Sequence, residues 1–104
     1  MQVELIETAS EVRLRTPELE LGWSRESGAL VMLARPGAPS LLGHGPPRAG
    51  LDVALGAPDG WTAHRSFARY LSHRCAERDG AVEVAVSVGL GPLKVRDRYV
   101  VRGA

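Results

Sequence analysis

At 104 residues, 44% of them hydrophobic, the chain has the length of one domain and enough apolar matter for a single core. Thirteen basic residues against twelve acidic ones give a formal charge of +1, so the bulk charge carries no signature of a nucleic-acid or anionic-membrane partner. The lone cysteine, Cys75, excludes an intrachain disulfide and a cysteine metal cluster, and reads as a small apolar residue.

The first residues, MQVELIETASEV, place no basic segment before an apolar run, unlike a signal peptide. The longest wholly apolar run, 29–34, falls far short of the ~20 residues a membrane helix needs. A cytoplasmic domain without membrane contact is therefore expected. Residues 3–6 and 12–16 are short strand candidates. In the second, Val12 and Leu14 alternate with charged residues, and Pro17 closes it because proline cannot continue a ladder.

Leu19, Leu21 and Trp23 alternate with Glu18, Glu20 and Gly22, the period of a strand wet on one face. Residues 24–28 then read as a turn in which Gly28 can take a positive φ, and 29–34 return as an apolar strand. Residues 36–50 hold four prolines and four glycines, a density that predicts a long loop, with Leu41 and Leu42 folded back onto the core. Another short strand is expected over 51–55, ended by a turn over 56–60.

Residues 61–77 fit two descriptions. Phe67, Tyr70, Leu71 and Arg74 fall at helical spacing, whereas a strand would set Phe67, Arg69, Leu71, His73 and Cys75 on one side. The turn Arg78-Asp79-Gly80 that follows favours the strand. Beyond it, Val82, Val84, Val86 and Val88 alternate with Ala81, Glu83, Ala85 and Ser87. A turn at 89–92 leads to a last strand with Leu93, Val95, Asp97, Tyr99 and Val101 on one face. The prediction is one all-β domain over 1–104, an antiparallel β-sandwich of about seven or eight strands.

Candidate chemistry is sparse. His44, His64 and His73 lack the short spacing to a second ligand that a metal site requires, so neither metal nor cofactor is expected. No serine-nucleophile motif or phosphate-binding glycine loop occurs. Asp59 beside Trp61 pairs a carboxylate with an aromatic face, the usual chemistry of sugar binding; a ring folded over the core edge is the plainer alternative. His44, His64 and Arg48 complete that candidate ligand set. Lys94, Arg96, Arg98 and Arg102 form a basic ridge on the last strand that suits a phosphate-rich or uronate-rich partner. Glu83 could neutralise it as a cross-strand pair, and solvated charge guarding a sheet edge explains it equally. Without interleaved aromatics the ridge does not read as a nucleic-acid surface.

Residues 12–17, 19–23, 26–30, 41–42, 79–84 and 93–99, reading VRLRTP, LELGW, ESGAL, LL, DGAVEV and LKVRDRY, together resemble strands and turns of a galactose mutarotase-like β-sandwich. That domain occurs in aldose epimerases and many glycoside hydrolases. The resemblance implies a sandwich, an association with carbohydrate and, because such domains are much longer, a partial version that associates with itself or a partner chain. The family's catalytic His and Glu fall on no matching position. The expected function is thus a non-catalytic carbohydrate-associated accessory or binding domain. The alternatives are a self-associating interaction module, a homodimer above all, and a small sugar epimerase or glycosidase with His44, His64 or His73 as acid–base.

Overall fold

A computed structural model describes residues 2–42, 54–57, 60–63 and 68–102, with 54–57 and 60–63 defined as backbone strands. The described residues form nine strands and no helix, an all-β fold as the alternation predicts, with more strands than the seven or eight expected. β1 (Glu4–Glu7), β2 (Glu11–Arg15), β3 (Glu20–Ser24) and β4 (Leu30–Ala34) make one antiparallel sheet in chain order. β5 (Ala54–Ala57) and β6 (Gly60–Ala63) form a separate hairpin. β7 (Arg69–Arg78), β8 (Ala81–Leu90) and β9 (Leu93–Arg102) make the second main sheet, also antiparallel and in chain order.

The two main sheets supply one core. Val12, Leu14, Leu21 and Trp23 from the four-stranded sheet pack with Val82, Val84, Val86, Val88, Leu90 and Val101 from the three-stranded one. Trp23 meets Tyr99 edge-on across the layers, with ring centroids 5.2 Å apart. Gly28 has φ +77°, and a Cβ placed there would lie 2.5 Å from Val88 Cγ2, so its turn can seat against the second sheet only as glycine. The β7–β8 turn uses Asp79 and Gly80, both at positive φ, as a two-residue type I′ connection demands.

Several sequence expectations need correction; Gly89 and Leu90, expected in a turn, are the last residues of β8 and pair with Lys94 and Leu93. Gly56, Ala57 and Gly60 belong to a ladder rather than a turn, since Gly56 pairs with Trp61 and Ala57 with Gly60. Segment 61–77 is interrupted: β6 ends at Ala63 and the long strand starts at Arg69. Leu41 does not fold onto the core but is 77% exposed. Its amide donates to the Leu33 carbonyl while the Ser40 hydroxyl engages the Leu33 backbone, and these bonds fix the backbone with Leu41 facing solvent. Residues 43–50 of the expected loop lie outside the described residues. Among the described residues no helix is long and apolar enough to cross a membrane.

Candidate functional site

Alternation along β8 sends Val82, Val84, Val86 and Val88 inward, leaving Ala81, Glu83, Ala85, Ser87 and Gly89 on the outer face of the three-stranded sheet. The strands on either side decide what stands around this row of mostly small residues. Arg69 pairs with Gly89, which pairs with Lys94; Arg74 pairs with Ala85, which pairs with Arg98; Arg78 pairs with Ala81, which pairs with Arg102. Each rung sets one cation on either side of a small residue. All six of these cations are exposed, as is Arg96, which pairs with Ser87. Successive rungs are four β8 residues apart, about 13 Å, and the outer strands are separated by roughly 10 Å. The result is a trough floored by β8 and walled by arginine and lysine.

Glu83 is the only described carboxylate at an outward position on this face. It receives a two-point fork from Arg98, Nε to Oε1 at 2.8 Å and Nη2 to Oε2 at 2.8 Å. That hydrogen bond, with the charges of Arg98, Arg78 and Arg96, holds its carboxyl below the ordinary range against some desolvation, and the Arg98 guanidinium shifts upward in return. The outer face of the other sheet is arranged differently. There Arg13 pairs with Glu11 and Glu20, and Arg15 with Glu4 and Glu20, so opposite charges alternate.

A β-bulge lies between Tyr70 and Ser72, and it corrects the grouping expected for this strand. The extra residue reverses the alternation, so Tyr70, His73 and Cys75 share the inner face, while Arg69 and Leu71 lie over Gly89 on the outer one. The bulge thereby adds Arg69 to the trough and brings Tyr70 to His73. The Tyr70 hydroxyl is 2.6 Å from His73 Nδ1, and His73 Nε2 is 2.7 Å from Glu7 Oε1 on β1. With a neutral ring, all three groups are satisfied when tyrosine donates to Nδ1 and Nε2–H donates to the carboxylate. Arg25 covers the Tyr70 ring at 5.4 Å, and the Tyr70 amide donates to the Glu26 carbonyl. Both ring nitrogens of His73 are therefore engaged in a strap between the sheets.

Cys75 and Tyr99 face inward. Burial, reinforced by Glu77, raises the Cys75 thiol. Burial and Asp97 raise the Tyr99 phenol, and the Trp23 indole N–H, which is buried without completing a hydrogen bond, opposes them weakly. Among the described residues no group of three or more His, Cys, Asp or Glu is placed to hold a metal ion.

Of the residues singled out from sequence, Lys94, Arg96, Arg98 and Arg102 stand together on β9. His44, Arg48, Asp59 and His64 lie outside the described residues, and Trp61 is placed only as a β6 backbone position. Sequence reasoning missed the second wall, Arg69, Arg74 and Arg78; the spacing of Arg74 and Arg78 on one strand face was the available signal. Comparison with family models, curated proteins and solved structures finds no match to this chain.

Proposed function

We propose that this is a non-catalytic, carbohydrate-associated binding domain whose ligand is anionic and lies on the outer face of β7–β8–β9. The supporting observation is the set of three cation–small–cation rungs, Arg69–Gly89–Lys94, Arg74–Ala85–Arg98 and Arg78–Ala81–Arg102. Arginine dominates both walls, and its planar fork suits carboxylate geometry. The small residues Ala81 and Ala85 leave the floor low between the flanking cations, while Arg69 and Leu71 lie over Gly89 at one end. No aromatic residue stands at an outward register position of the trough, which favours sugar acids over single-stranded nucleic acid, whose bases stack on aromatic platforms.

Titration calorimetry with polygalacturonate, beside neutral dextran, tests the reading. Binding to the polyuronate alone is expected, weakening at least tenfold between low and physiological salt because the charges are exposed. The double variant Arg74→Glu/Arg98→Glu should lose a further tenfold or more. Absence of polyuronate binding, or equal affinity in the double variant, contradicts the reading.

Self-association is the second reading. It is favoured by the ten-residue β9, which ends its sheet with no described strand on its far side. Lys94, Arg96, Arg98 and Arg102 along the same strand oppose pairing with an identical edge, so anion binding is placed first.

A further inference from the structure

We infer that the ligand is a linear polycarboxylate running along β8, and that its carboxylates take the place Glu83 holds at the middle rung; this deepens the binding reading and rests on it. Two observations carry it. The first is repetition. Gly89, Ala85 and Ala81 are evenly spaced, and each is flanked by cations on both neighbouring strands. The outer rungs are therefore about 26 Å apart along one straight strand. A compact ligand with one charge could use a single rung; only an extended chain bearing repeated anions can use all three.

The second observation is Glu83. It is an intramolecular carboxylate already seated among these arginines, forked by Arg98 through both oxygens at 2.8 Å, with the charges of Arg78 and Arg96 acting on it. The walls can thus grip a planar carboxylate side-on. The same fork engages the middle-rung arginine, so an incoming carboxylate must displace Glu83 or share Arg98 with it. Because the surrounding guanidinium groups keep Glu83 ionised, that competition persists through the neutral range.

The test is a length series of galacturonate oligomers, from dimer to a 12-mer, titrated into the full chain alongside long polygalacturonate. Affinity should rise at least tenfold between oligomers that reach one rung and those that reach three, then flatten to the slow growth expected from the number of binding registers. Glu83→Gln, which is close in size and stands on the solvent face, should bind the 12-mer two- to tenfold more tightly than the unaltered chain.

If the polymer binds but the dimer binds as tightly as the 12-mer, the linear-track inference is overturned while the binding reading stands. If Glu83→Gln binds no tighter, the carboxylate does not occupy a ligand position, and that part of the inference fails. If long polygalacturonate does not bind at all, the functional reading itself has failed. Far-ultraviolet circular dichroism of the variant confirms that a folded protein is being compared.

Discussion

Tyr99 shows how one residue can be set by both layers. Its ring lies half within the core against Trp23, and burial together with Asp97 raises its phenol above the ordinary value near 10. In the unfolded chain the phenol loses its proton at about pH 10. In the fold it does so at higher pH, so its stabilising contribution is fully present below the unfolded value and is lost as pH rises through the folded one. Urea midpoints for the unaltered chain should consequently fall more steeply between pH 9.5 and 11.5 than those of Tyr99→Phe. Parallel curves would contradict the assignment. Glu83 has the opposite sign: its lowered pKa is a native-state feature that is lost as pH falls through the folded value, and solvent screening at its partly exposed position keeps the effect on stability small.

The β3–β4 hairpin and β7 carry the lesson at the scale of elements. Gly28 seats the hairpin turn against Val88, which is fully buried and has no room to move. Gly28→Ala therefore combines a left-handed backbone penalty with a steric clash, and should destabilise the fold by about 2–4 kcal/mol in urea denaturation. A loss below about 0.5 kcal/mol would contradict this packing. The alternation of Leu21 with Trp23 and of Val82 through Val88 made the two core faces legible, and Asp79-Gly80 gave the turn between β7 and β8. What alternation alone could not give was the bulge beside Leu71. One extra residue exchanges the faces of everything before it, so the grouping of Arg69 and Leu71 with His73 failed on the sequence and the Tyr70–His73–Glu7 strap was hidden. The ridge on β9 was visible because its strand is regular. On β7, Arg74 and Arg78 follow the bulge and share a face by spacing alone, whereas Arg69 precedes it and joins them only because of it.

At the scale of the molecule, the formal charge of +1 hides a segregation. Glu4, Glu11 and Glu20 hold Arg13 and Arg15 on the four-stranded sheet, whereas the outer face of the three-stranded sheet sets seven cations around Glu83, the one carboxylate at an outward position among its described residues. The two inner faces cover one another, and the two outer faces differ in electrostatic character. A ligand drawn to this chain by charge should find one sheet and not the other. The most direct measurement is a backbone amide chemical-shift map by NMR as a galacturonate 12-mer is added to isotopically labelled protein. The account predicts the largest, saturating changes at outward positions of β7, β8 and β9, centred on Ala85, with the four-stranded sheet nearly silent. Changes concentrated on β1–β4, or within residues 43–67, would contradict it.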